Sequence, residues 1–143
     1  MTETSEIRIR LRETIKHARQ AAAERRQMAQ TAEEVGTRVL ASVATPVFKT
    51  VASALKAEGY PFRLFTPAAE VRLASEKSGD QFIGLELDTA RDTPALVGRV
   101  SRLWGQRVLV DERVVREGDE IGALTKEDVI TFLLESLAPF VER

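Results

Sequence analysis

From Ile7 to Ala29 the apolar positions recur at helical spacing. At about 100° per residue, Ile7, Leu11, Ile15, Ala18, Ala22 and Ala29 fall on one stripe, Arg8, Arg12, Lys16, Arg19 and Arg26 line one flank, and Glu6, Glu13 and Glu24 lie toward the other. Beyond Val35 the pattern widens. Val35, Val39, Val43, Val47, Val51 and Leu55 recur every four residues and are joined by Leu40, Ala44, Phe48 and Ala52, leaving a narrow polar edge of Arg38, Ser42, Thr45, Lys49 and Lys56. The first half reads as an amphipathic helix with a slender apolar edge, and the second as a helix buried against a sheet. Gly59 followed by Pro61 marks the stop.

One uninterrupted helix from Thr4 to Ala57 would be roughly 80 Å long at 1.5 Å per residue, whereas a compact chain of this size has a radius of gyration of only about 14 to 15 Å. Two readings remain open at this point. Either the helix breaks, for which Thr31-Ala32-Glu33-Glu34 offers a capping box and Thr45-Pro46 an N-cap followed by proline, or residues 1–30 project from a globular part formed by residues 31–143.

After Pro61 the period becomes two. The alternation predicts strands at Phe62 to Thr66, Glu70 to Glu76, Gln81 to Asp88, Ala95 to Trp104 and Arg107 to Val115. Ser78-Gly79 and Gly105-Gln106 read as short turns between antiparallel neighbours, the second with glycine where a type II′ turn needs it. Pro94 is expected at or before a strand start. Thr125 stands three residues ahead of Asp128, and Val129, Ile130, Leu133, Leu134 and Leu137 follow at helical spacing, so a C-terminal helix should run to about Phe140. The expected fold is a single α+β domain: a long N-terminal helix, continuous or broken, a five-stranded antiparallel meander, and a C-terminal helix packed on the sheet.

Composition narrows the function classes. With 143 residues, 43% of them hydrophobic and 8 glycines and 5 prolines, the chain is neither disordered nor collagen-like. It has no cysteine, which removes disulfides, thiolate nucleophiles and cysteine-ligated metals, and suits a reducing, cytoplasmic setting. No signal-peptide stretch or uninterrupted apolar run of membrane-spanning length is visible, so no membrane association is expected. A net charge of −1 gives no field over the whole molecule, although residues 1–60 hold 10 basic and 7 acidic groups and residues 61–143 hold 11 and 15.

The side chains of familiar catalytic sites are absent or isolated. His17 is the sole histidine and has Glu13 four residues before it, the spacing of a surface pair. Neither a Gly-x-Ser-x-Gly elbow nor a glycine-rich nucleotide loop occurs. Asp111, Glu112, Glu117, Asp119 and Glu120 lack the spacing of a cation loop, and alternation puts Asp111 and Glu112 on opposite faces. Phe62, Phe65, Phe82 and Trp104 fall in strands and are expected to build core. No metal, cofactor or enzymatic activity is therefore expected. The slender stripe needs cover, and a second copy is the simplest source, with a dimer favoured. The alternative is sequence-independent nucleic-acid binding by the cationic flank. A weaker one is a small-ligand pocket between meander and helices.

Overall fold

The computed structural model describes residues Glu3–Glu142. The N-terminal helical region does not break. Helix α1 (Glu3–Val39) passes through a π-helical turn (Leu40–Ala44) directly into α2 (Thr45–Ala57). The Thr31 to Glu34 pattern lies inside α1 and starts nothing. Thr45 is helical (φ −55°, ψ −47°), so it cannot act as an N-cap. Its hydroxyl donates backward to the Leu40 carbonyl at 2.8 Å.

Two features of the sequence account for the π-turn. Pro46 has no N–H, and in a regular helix its ring would strike the carbonyl of Ser42, so a widened turn relieves the collision. The second is helical phase. At about 100° per residue, the buried positions Ala32, Gly36, Val39 and Leu40 point roughly 100° away from Ala44, Val47, Phe48 and Leu55. A π-turn takes up about one extra residue, which rotates the two stripes back onto a single face. The four-residue spacing from Val35 to Leu55 is the mark this leaves in the sequence.

One 18-residue window of this continuous helix has a mean hydropathy of 1.2 and is, by length and composition, apolar enough to cross a bilayer. With so few charges it must fall in the second half, where Val39, Leu40, Ala44, Val47, Phe48 and Leu55 are buried in the core. The helix ends at Gly59 (φ 91°), with Gly59 N–H bonded to Lys56 O and Tyr60 N–H to Leu55 O, the paired bonds of a Schellman motif.

The sheet is an antiparallel meander in the order β1 (Phe62–Phe65), β2 (Glu70–Ser75), β3 (Phe82–Asp88), β4 (Ala95–Trp104), β5 (Arg107–Glu117). The boundaries differ from the sequence reading by one or two residues. The link from β2 to β3 turns at Ser78, whose carbonyl accepts from Gln81 N–H at 3.1 Å. Gly105 has φ 63° while Gln106 has no positive φ, which is the type II′ arrangement.

Cross-strand pairs define the faces. Val71↔Leu85, Leu73↔Ile83, Ile83↔Val100, Leu85↔Gly98 and Leu87↔Leu96 share the inner face, against which α2, the end of α1 and α3 (Lys126–Val141) close the core. Phe48, Ile83, Leu85, Leu96 and Leu133 are fully buried there. Phe132 reaches the sheet because Gly98 has no side chain: a Cβ there would stand 2.3 Å from Phe132 Cε1. Helix α3 opens on the full capping box, Thr125 Oγ1 accepting from Asp128 N–H at 3.1 Å and Asp128 accepting from Thr125 N–H at 2.9 Å.

Candidate interaction surface

Helix α1 leaves the globule where its small residues end. Gly36 sits so close to β3 that a Cβ would lie 2.7 Å from Leu87 Cδ2, and one turn earlier Ala32 is the last buried residue. The 3₁₀ segment Gly118–Ala123 packs alongside the same stretch of helix. From Arg26 back to Glu3 the helix then runs free for about 24 residues, or roughly 36 Å. Every residue from Glu3 to Gln20 is exposed.

The apolar stripe is thus outside the core. Ile7 is 63% exposed, Leu11 55% and Ile15 40%. Ala18 is exposed, while Ala22 and Ala29 are partly covered. By helical phase this edge lies close to the direction in which Ala32, Gly36 and Val39 meet the globule, so a single apolar line is covered at one end and bare at the other. Ile9, also exposed, points away from it.

Arg8, Arg12, Lys16, Arg19 and Arg26 form an exposed cationic flank, and none of them makes an ion pair among the described residues. On the opposite side Arg10 bonds Glu6 at 2.9 Å and His17 lies 3.7 Å from Glu13, both pairs solvated. At the point where the helix meets the globule, a groove of about 400 Å³ is lined by Gln27, Met28, Thr31, Val35, Pro94 and Asp119, among others.

The outer face of the sheet has a different character. Glu70, buried, takes both the Nε (3.0 Å) and an Nη (3.1 Å) of Arg72, whose guanidinium also lies 3.8 Å over the Phe82 ring. Arg99 bridges Glu86 and Glu112. Burial works against the Arg99 charge, and the two carboxylates more than offset it, so its pKa is raised. Each of these acids has its guanidinium, which suits a structural ladder across strands and leaves none of the three free as a general base.

Among the described residues no three His, Asp or Glu side chains gather closely enough to hold a metal ion. Of the acidic group at the sheet rim, Glu112 faces Arg99 and Glu120 faces Arg116 at 3.2 Å. The chain was compared with protein-family models, with curated proteins and with solved structures. It matches none of them. The residues themselves therefore carry the functional argument.

Three strand aromatics depart from the expectation of core. Phe65 and Phe82 fall on the outer face of the sheet, Phe65 exposed opposite Arg72 and Phe82 half-covered by the Arg72 guanidinium, while Trp104 is exposed at the end of β4, beyond the covering helices. Sequence reasoning also did not single out β5, where Val108, Val110 and Val114 are exposed on an edge strand of 11 residues. The predicted meander already places that strand at an edge, but nothing in the reading marked its valines as an exposed surface.

Proposed function

We propose that the protein is a non-enzymatic interaction protein that self-associates through the free part of α1. The observation that carries this is the bare apolar line of Ile7, Leu11 and Ile15 on a rod that its own globule does not reach. A stripe this narrow is too small to hold a helix in water by itself, and most helical stability in proteins comes from packing. Small residues at Ala18 and Ala22 allow a second helix to approach closely, and closed symmetric pairing is the commonest way for one chain to cover such a face.

Fully burying a Leu or Ile contributes about 1.5 to 3 kcal/mol, so covering the exposed half of Leu11 and Ile15 contributes about 1 kcal/mol for each side chain. A pair of chains then gains about 4 kcal/mol from these two positions, or about a thousandfold in affinity. The double variant Leu11→Glu/Ile15→Glu should therefore lower the mass seen by light scattering across micromolar concentrations. An unchanged mass, with helix content retained by circular dichroism, would overturn the reading.

A second reading draws on the unpaired flank of Arg8, Arg12, Lys16, Arg19 and Arg26. These cations are spaced to contact successive phosphates of a nucleic-acid backbone without reading sequence, and self-association would double the ribbon. Binding to a duplex at about 50 mM salt that weakens steeply with added salt supports it. No binding at that salt rejects it.

A further inference from the structure

The sheet has two edges, and they are not alike. β1 is four residues long, whereas β5 is 11 residues long and pairs only with β4 among the described residues. Its exposed backbone edge is the usual template for adding another strand, and its length is unguarded by any proline. A β-bulge does limit it. Val97 pairs with Val114 and Leu96 with Arg116, so Val115 is the extra residue and the regular ladder runs from Arg107 to Val114.

The charges on this ladder select a partner. Asp111 and Arg113 point to the helix-bearing side of the sheet, in register with Val100 and Gly98, while Val110, Glu112 and Val114 point to the outer side. When the segment Val110 to Val114 is laid antiparallel on a second copy about a two-fold axis at Glu112, the four flanking residues each meet a complement on the same face, and only Glu112 meets its own copy. Val110 meets Val114 of the partner subunit, and Asp111 meets Arg113 of the partner subunit, each pairing occurring twice. At the axis the two Glu112 side chains meet, each already held by its own Arg99 at 2.9 Å. Neighbouring registers are penalised: centring on Asp111 sets aspartate against aspartate, and centring on Arg113 sets arginine against arginine.

We propose that β5 is a second self-association edge, through which two copies join antiparallel about Glu112 to make one continuous sheet. Val110 is 52% exposed and Val114 40% exposed in the single chain, and the contact sets them against each other on the outer face. Arg113 is ready for the contact. Its guanidinium is held between Glu135 at 2.5 Å and the Phe132 ring at 5.0 Å, and it has donors to spare for the partner's Asp111. This edge is independent of the α1 stripe.

The test uses the full-length Leu11→Glu/Ile15→Glu protein, in which the stripe is disabled, followed by sedimentation over a range of concentrations. A concentration-dependent dimer is expected. Adding Asp111→Arg or Arg113→Asp should weaken it about tenfold or more, since each places like charges across the axis twice, and the double exchange Asp111→Arg/Arg113→Asp should restore it.

Because the chain has no cysteine, position-specific crosslinking gives a second measurement. Glu112→Cys should form a disulfide-linked dimer on oxidation, as directly opposed strand residues lie about 4.5 to 5.5 Å apart. Val108→Cys should not, since its two copies would stand roughly 26 Å apart along the strands. Crosslinking at Glu112→Cys no faster than at Val108→Cys overturns the proposal. So does a stripe variant that stays monomeric throughout, and if the unaltered chain still dimerises, the reading of α1 stands. A mass unchanged by the stripe variant but reduced by Asp111→Arg overturns the α1 reading and supports the edge.

Discussion

Inserting one residue into the π-turn and deleting one from it should have opposite consequences. The turn Leu40–Ala44 holds one residue more than a regular helix would need to keep the buried positions before and after it on one face. Deleting exposed Ala41 removes that extra residue and lets the turn close to α-helix with the two stripes still aligned. The deletion exposes only the local problem, the Pro46 ring against the carbonyl four residues before it, which costs up to about 3 kcal/mol. Combining the deletion with Pro46→Ala removes that collision and should leave stability within about 1 kcal/mol of the unaltered protein.

An alanine inserted after Ala41 instead turns α1 by a further 100° or so relative to α2. Val39 and Leu40, both 4% exposed, would swing out of the core, at about 1.5 to 3 kcal/mol each. The insertion should therefore cost about 3 to 6 kcal/mol, a large share of the roughly 5 to 15 kcal/mol that holds a domain together. Urea unfolding followed by circular dichroism measures all three variants. If the insertion is tolerated and the deletion with Pro46→Ala is the damaging change, the account of the π-turn is wrong.

Two further outcomes follow from the packing around α3. Gly98→Ala places a Cβ 2.3 Å from the ring of Phe132, which is 1% exposed and cannot retreat, so the denaturation midpoint should fall by the equivalent of about 1 to 3 kcal/mol. A shift below about 0.5 kcal/mol would mean that the ring moves freely. Asp128 is pushed up by burial, but the Thr125 N–H and the Arg116 guanidinium outweigh that and hold its pKa below the usual carboxylate value. A lowered folded pKa gives stability that is complete above about pH 4 and is lost as pH falls through the folded value. Asp128→Asn should thus lower the Tm by the equivalent of about 1 kcal/mol at pH 7 and by less at pH 3; an equal loss at both would rule the linkage out.

Much of this architecture can be read along the chain wherever local chemistry decides it. The stop at Gly59, the turn at Gly105, the strand start after Pro94 and the cap at Thr125 each follow from a residue whose backbone freedom or hydrogen-bonding group permits little else. The same local rules fail at Thr31 and Thr45. Both carry the chemistry of a helix start, yet the buried face on either side is continuous, so tertiary packing keeps the helix going and a π-turn absorbs the mismatch. Trp104 shows the same limit, since alternation gives the face of a strand residue and says nothing of whether a helix reaches that far, and Phe65 and Phe82 show that alternation does not say which face the helices will cover.

The candidate surfaces divide along this line. The stripe Ile7, Leu11 and Ile15 and its cationic flank are properties of helical periodicity alone, and they were legible before any fold was known. That the stripe is bare depends on where the globule stops along α1, which is set by the contact of Gly36 with Leu87 and of Val35 with Gly122. The complementarity of Val110 to Val114 is written in five consecutive residues, but it matters only because strand order leaves β5 at the edge. The meander order was already implied by the short turns, but how far one element reaches over another is a long-range outcome. It follows from which buried faces find each other, whereas period and turn chemistry act over only a few residues.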